Sequence, residues 1–276
     1  MADWNKILSR GNVEDRRGSR LAVSGGLGVA GIVVTLLFSF LSGAPINVND
    51  ILGQLQSSQS MQSGLSTQDF EGADNYETFV STVLGSTNDY WNGVFEQNGR
   101  TYTEPKLALF RSATQSGCGI ATSDVGPHYC PADSTVYIDE TFFGQLQQQF
   151  NAKGGDVAEA YVIAHEVGHH VQMQLGTTEQ VQANNTNENS VKLELQADCY
   201  AGLWAYSVKQ LGIFEPGEIT EALDAASAVG DDRIQQSVTG QVSPETWTHG
   251  SSAQRVQWFT TGFDSGNPGM CDTFAA

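Results

Sequence analysis

Apolar residues recur every three or four positions in several parts of the chain, which is typical of amphipathic helices. The clearest case is the stretch 156–175, in which Asp156 follows two glycines and is the expected N-cap. Similar spacing predicts helices at about 70–97, 190–212, 217–229 and 251–260. Strand signals are few: KLALF at 106–110 and TVYID at 135–139. The pattern predicts a mainly α (α+β) domain with a small sheet.

A second apolar stretch is continuous rather than periodic. No charged residue occurs between Arg20 and Asp50, and residues 21–41 read LAVSGGLGVAGIVVTLLFSFL. This length suffices to cross the hydrocarbon core of a bilayer, which takes about 20 helical residues. The sequence therefore predicts one N-terminal transmembrane helix at 21–43. A tail at 1–20 precedes it, and a flexible tether at 44–70, rich in Gln, Ser, Gly and Asn, leads into a domain at 71–276.

Charge sets the expected orientation of this span. Residues 1–20 hold five basic and three acidic side chains, and basic residues beside a span favour the cytoplasmic side. We therefore expect a single-pass protein of the cell membrane with a cytoplasmic N-terminus and an extracytoplasmic domain. Two alternatives remain open: a signal peptide cleaved near Ser42-Gly43-Ala44, and a buried helix of a soluble domain.

The whole chain carries a formal net charge of −18. Such an excess repels phosphate, so nucleic acid is not an expected partner. An extracytoplasmic domain also permits disulfide bonds. Cys118 and Cys130 flank a short loop of turn-forming residues, which favours a bridge between them and leaves Cys199 to pair with Cys271. Four free thiols are the alternative.

The helix predicted at 156–175 carries an HExxH motif, His165-Glu166-Val167-Gly168-His169. Residues four apart lie one turn apart on one helix face, so both imidazoles can bind one Zn²⁺. Glu166 lies beside that face and can reach a water on the metal. His170 lies about 100° further round the helix and is expected at the surface or behind the ligands. The alternative is an amphipathic helix with surface histidines.

Catalytic zinc sites need a third protein ligand. The extended motif HExxHxxGxxH is absent, because Gln172 and Leu175 replace its glycine and last histidine. Glu194 and Asp198 share one face of the helix predicted at 190–212. We expect Glu194 to bind the metal and Asp198 to accept the second N–H of a ligand histidine. A solvated acidic edge is the alternative.

These residues resemble the gluzincin metallopeptidases, in which two motif histidines and a downstream glutamate bind zinc. More narrowly, the chain resembles the neutral zinc metallopeptidase family of bacteria. The matching stretches are NVEDRRGS, the loop from Cys118 to Cys130, VYIDETFF, AYVIAHEVGHHVQ, ELQADCYAGLWA and THGSSAQRVQWFTTGF. The resemblance implies a zincin-like domain that hydrolyses peptide bonds in a peptide or protein substrate. One Zn²⁺ and the general base Glu166 carry out that hydrolysis.

The segment THGSSAQRVQWF is similar to the HPxxxxRI segment of membrane-associated gluzincins related to the heat-shock peptidase. In this chain Gly250 replaces the proline of that pattern. The similarity implies that His249 donates to the oxyanion of the tetrahedral intermediate and that Arg255 anchors the local structure. An N-terminal helix histidine with no catalytic task is the alternative for His249. By analogy with zincin sites, TVYID is the expected edge strand that binds substrate backbone.

Three interpretations of the whole chain compete at this point. The first is a membrane-tethered zinc endopeptidase. The second is a zinc-binding but inactive cell-surface adaptor, and the third is a domain without a metal whose motifs are accidental. Zinc content separates the third from the others, and chelator-sensitive cleavage separates the first from the second.

Overall fold

The computed structural model describes residues 1–18, 74–144, 154–215 and 217–275 of the chain. Its helices are α1 (Asn75–Gln97), α2 (Asp156–Leu175), α3 (Thr177–Ala183), α4 (Asn187–Gln210), α5 (Ile219–Ala228), α6 (Asp231–Thr239) and α7 (Ser252–Ser265). Its strands are β1 (Val13–Asp15), β2 (Lys106–Phe110), β3 (Ala113–Ser116), β4 (Gly119–Thr122), β5 (His128–Cys130) and β6 (Thr135–Asp139). The expected mainly helical α+β fold with a small sheet is confirmed.

Capping interactions explain where the long helices begin. α4 starts before the predicted residue 190 because the Thr186 side chain accepts a hydrogen bond from the Asn189 backbone. α7 begins with a capping box between Ser251 and Gln254. α2 has the predicted bounds, but its N-cap is Gly155, so the prediction of Asp156 as N-cap was wrong.

The main sheet has the strand order β1-β2-β6-β5. β1, β2 and β6 are parallel, whereas β5 runs antiparallel to β6 and forms one edge of the sheet among the described strands. β3 and β4 form a separate two-stranded hairpin. β6 lies between β2 and β5 and is buried at all five residues.

Helix α4, which carries Glu194 and Asp198, and helix α7, which carries Arg255, pack very close together where they cross. Gly202 of α4 and Gly262 of α7 each face the backbone of the other helix, and a Cβ on either would collide with it. Glycine permits this approach because it has no side chain. The crossing brings α7 close enough for Arg255 to reach Asp198 on α4.

Both expected disulfides are present. Cys118 pairs with Cys130, which links the turn of the β3–β4 hairpin to edge strand β5. Cys199 of α4 pairs with Cys271, which fixes the C-terminal segment to a buried helix. A disulfide constrains the unfolded chain, with a typical contribution of about 2–4 kcal/mol to the free energy of unfolding.

Residues 1–18 are part of this folded unit, which differs from the separate tail predicted at 1–20. Residues Val13–Asp15 pair with Leu107–Leu109 of β2. Ala2 and Ile7 are buried in the main hydrophobic core. The segment joins the domain in two ways: β1 pairs with β2, and the apolar side chains of Ala2 and Ile7 pack into the core.

The predicted span at 21–43 and the tether at 44–70 lie outside the described residues. Within the described ranges, no helix combines the length and apolar character that a bilayer crossing requires.

Candidate metal centre

Three side chains from α2 and α4 converge at the centre of the molecule. His165 and His169 project from the same face of α2, one turn apart, and Glu194 faces them from α4. His165 Nε2 lies 3.3 Å from one Glu194 carboxylate oxygen, and His169 Nε2 lies 3.3 Å from the other. One ligand atom from each of the three lies within 4.8 Å of the others. No other group of three such side chains lies as close within the described ranges.

The spacing of these donor atoms fits a zinc ion. Two ligands held tetrahedrally at about 2.05 Å from Zn²⁺ lie about 3.3 Å apart, close to the separation between the imidazole nitrogens and the carboxylate. Two imidazoles and a carboxylate are also the ligand types of many catalytic zinc sites. The residues present therefore fit the metal that the sequence motif implies.

A buried carboxylate orients the first histidine. Asp198 is fully buried, and its Oδ1 lies 2.9 Å from His165 Nδ1. This contact leaves Nε2 of His165 free to face Glu194. Burial raises the pKa of the Asp198 carboxyl, but the Arg255 guanidinium and the His165 imidazole outweigh that effect and hold the pKa below its ordinary value. Asp198 is therefore positioned as a hydrogen-bond acceptor behind the donor set.

Two further groups donate to the same carboxylate. The Tyr161 hydroxyl lies 2.6 Å from Asp198 Oδ1. Arg255 donates from Nε to Oδ2 at 2.8 Å and from Nη2 to Oδ1 at 3.0 Å. All three side chains are buried. Arg255 therefore connects α7 to the Asp198 carboxylate of α4.

A glutamine orients the second histidine. Gln172 Oε1 lies 2.9 Å from His169 Nδ1. The Gln172 amide in turn donates to the Leu193 carbonyl at 2.7 Å and to Gln196 Oε1 at 3.1 Å. The residue therefore links α2 to the turn of α4 that carries Glu194. Sequence reasoning missed this role, although Gln172 stands three positions after His169 on the same helix.

An open cleft of about 450 Å³ gives access to the three donors. Glu166 is almost buried, at 7% exposure, yet it lines this cleft beside the histidines. The remaining wall is mainly apolar, from Val125, Pro127, Pro131, Phe142, Val162, Leu193 and Val229. A group bound in the cleft can therefore contact both the Glu166 carboxylate and a metal held by the three donors.

His249 reaches the cleft from the loop before α7, with its side chain 45% exposed. Its Nδ1 lies 3.1 Å from Asp231 Oδ1. The other oxygen of Asp231 accepts the backbone N–H groups of Thr248, His249 and Gly250 at 2.7–3.0 Å. Desolvation lowers the pKa of His249, but Asp231 and Glu194 outweigh it and raise the pKa above the ordinary value. The sequence did not identify Asp231, which begins the unpredicted helix α6.

His170 is not a surface residue, so that part of the prediction was wrong. It is 2% exposed, its Nδ1 lies 2.9 Å from the Tyr129 hydroxyl, and its Nε2 lies 2.6 Å from the Thr103 carbonyl. The first contact attaches edge strand β5 to α2, and the second attaches the segment before β2 to the same helix. The angle of about 100° between His169 and His170 shows that His170 does not share the face of the metal ligands. It does not show that β5 covers the face on which His170 lies.

TVYID is not the edge strand. It forms β6, whose two edges are occupied by β2 and β5. The strand beside the cleft is β5, and its residues His128 and Tyr129 line the cleft. Its three residues are too short to give a clear strand signal in the sequence.

Comparisons with known proteins identify the family of the chain. The chain is 43% identical to “Uncharacterized protein YpfJ” of Escherichia coli strain K12, over 98% of both chains. It is 49% identical to “Uncharacterized protein Rv2575” of Mycobacterium tuberculosis strain H37Rv, over 72% of each chain. No solved structure is significantly similar. The model of one family, described as “Putative neutral zinc metallopeptidase”, matches residues 2–274, and the chain belongs to that family.

Proposed function

We propose that this protein is a zinc-dependent endopeptidase that hydrolyses peptide bonds in the cleft above α2. The observation that carries the proposal is the convergence of His165, His169 and Glu194 at zinc-ligand spacing, with Glu166 beside them in an open cleft. In this assignment the first three residues hold one Zn²⁺, and Asp198 and Gln172 orient the two imidazoles.

The chemistry divides between the metal and the side chains. A bound zinc ion lowers the pKa of a water molecule and polarises a carbonyl group. Glu166 accepts a proton on its carboxylate from the attacking water and returns it to the leaving amine. Asp231 and Glu194 favour the protonated form of His249, which donates a hydrogen bond to the oxygen that gains negative charge. Arg255 holds the Asp198 carboxylate in place behind His165.

Edge strand β5 is the proposed binding site for the substrate backbone. An extended peptide can add to an exposed sheet edge through backbone hydrogen bonds. β5 borders the cleft, runs antiparallel to the rest of the sheet and is held by Cys130 at its end. These features support β5 in the role that the sequence assigned to TVYID.

We propose an extracytoplasmic location for the domain, at the cell membrane. Two disulfides support an oxidising compartment. Membrane attachment is proposed from the apolar composition of residues 21–41 alone, without an orientation or a number of bilayer crossings. Protease accessibility of the domain in intact cells tests the location, and cleavage only after the membrane is permeabilised would contradict it.

The metal assignment is tested by measuring zinc in the purified full-length chain. We expect about one zinc per chain, and we expect Glu194→Ala to lose it because one of three ligands is removed. Glu188→Ala is the matched control, since Glu188 lies on the same helix in an exposed pair with Lys192. Retention of zinc by Glu194→Ala would contradict the ligand assignment.

The peptidase assignment is tested with a peptide library and the same protein. We expect cleavage that a chelator abolishes and added Zn²⁺ restores. A chain that holds zinc and cleaves nothing would favour the inactive adaptor instead.

A further inference from the structure

We call residues 1–18 the N-terminal clasp. This segment packs against the domain away from the cleft and contacts both helices that carry the proposed metal ligands. The Ala2 backbone N–H and the Trp4 indole N–H donate to the Asp156 carboxylate at 2.9 and 2.7 Å. Asp156 is the first residue of α2. The Trp4 ring also stacks on Trp204 of α4, with ring centroids 6.4 Å apart and planes 3° apart. None of these residues lines the cleft, so the clasp braces α2 and α4 outside it.

The clasp is also built into the sheet and the charge network. β1 adds a parallel strand to the edge of β2. Arg17 is 1% exposed at its side chain and pairs with Asp15, Asp74 and Glu140 at 2.7–2.9 Å. Removal of the clasp would take a buried cation away from Asp74 and Glu140, and Glu140 would keep only its pair with Arg111 among the ion pairs described.

The clasp backbone also lies very close to Gly85 of α1. A Cβ at this position would lie 2.6 Å from the Arg10 backbone nitrogen and 2.7 Å from the Ser9 carbonyl carbon. Glycine in the middle of a helix weakens the helix relative to alanine. A glycine at this position is therefore explained by the backbone of the clasp, which leaves no room for a side chain.

We propose that the N-terminal clasp is a permanent part of the domain that holds the metal centre, and that both lie on the same side of any membrane. A single crossing of the bilayer between residues 18 and 74 would separate them and break every contact above. This inference does not depend on peptidase activity, because it rests on packing outside the cleft.

Two glycine substitutions in α1 test whether the clasp is docked in the full-length protein. Gly93→Ala is the control: a Cβ there meets no atom within 4 Å, so alanine should raise the melting temperature by about 2 °C. Gly85→Ala should lower the melting temperature by several degrees, because its methyl group strikes the clasp backbone. An equal rise for both variants would overturn the proposal, since it would mean that nothing lies against Gly85.

Cysteine labelling tests the topology without disturbing the fold. All four native cysteines are in disulfides, so Leu8→Cys or Val242→Cys introduces the one free thiol of its chain. Both positions are exposed, at 88% and 41%, the first in the clasp and the second in the body of the domain. In intact cells, a membrane-impermeant maleimide should label both variants or neither, with equal labelling after denaturation. The proposal would be overturned if one variant were labelled in intact cells and the other were labelled only after the membrane had been permeabilised.

Discussion

At the scale of single residues, the centre depends on how one buried carboxylate is held. Asp198 makes one contact with His165, one with Tyr161 and two with Arg255. Three of these four contacts are made by its Oδ1. The neutral hydroxyl of Tyr161 and the cation of Arg255 both restrict where that oxygen can lie. The position of His165 therefore depends on residues that do not contact the proposed metal.

We predict that Tyr161→Phe weakens zinc binding by about 10-fold, because loss of the hydroxyl frees the Asp198 carboxylate to rotate. The dissociation constant is measured by competition with a chromophoric chelator. Tyr90→Phe is the matched control, since the Tyr90 hydroxyl is buried without a hydrogen-bond partner in the described structure. Equal zinc affinity in both variants would contradict the positioning role of Tyr161.

The Asp231–His249 pair gives a second prediction at this scale. Asp231 raises the pKa of His249, so the imidazolium persists to higher pH than an isolated histidine would allow. We predict that Asp231→Asn lowers that pKa and moves the alkaline limb of the kcat profile to lower pH. Asp232→Asn is the control, because Asp232 accepts from Ser252 instead. An unmoved alkaline limb would exclude His249 as the group that titrates there.

The sequence predicted the residues of this centre unevenly. His165, Glu166 and His169 are adjacent on one helix, and Glu194 and Asp198 share a helix face, so local spacing brings each set together. Tyr161, Gln172 and Asp231 act through contacts across helices or across a loop. Such contacts leave no periodic signal in a single sequence, because they depend on how the helices pack.

At the scale of secondary structure, long helices were predictable and short strands were not. α2 repeats its apolar spacing over five turns, whereas β5 has three residues and no alternation that could be recognised. β6 was correctly predicted as a strand but wrongly placed at the sheet edge. Both of its neighbours, β2 and β5, precede it in the chain, and strand order cannot be derived from the pattern of one strand.

Glu159, on the first turn of α2, provides a prediction about helix stability. Burial raises the pKa of its carboxyl to about 7, above the ordinary value of 4.5. Between these two pH values the folded state binds more protons than the unfolded state, so this group destabilises the fold as the pH rises from 4.5 to 7.

We therefore predict that Glu159→Gln raises the free energy of unfolding above pH 7, by on the order of 2 kcal/mol, and changes it little near pH 4. Urea unfolding of both proteins at pH 4, 6 and 8 measures the difference. A constant difference across this range would show that the carboxyl has an ordinary pKa.

At the scale of the whole molecule, the chain is organised around the two ligand helices. The cleft opens on one side of α2 and α4, the N-terminal clasp braces them elsewhere, and the Cys199–Cys271 bridge ties the C-terminal segment to α4. The basic residues of the first segment suggested a tail beside a membrane. In the folded domain Arg17 pairs with a cluster of acids, a contact that local charge along the sequence does not predict.

The most direct test of the central claim compares the full-length protein with Glu166→Gln, each loaded with one zinc per chain. The substitution keeps the shape of the side chain and removes its ability to accept a proton. We predict unchanged zinc content and a fall in kcat/KM of about 10²–10⁴-fold on a cleaved library peptide. The exposed Glu179→Gln should retain full activity. Cleavage by zinc-loaded Glu166→Gln at the rate of the unmodified protein would contradict the proposed peptidase mechanism.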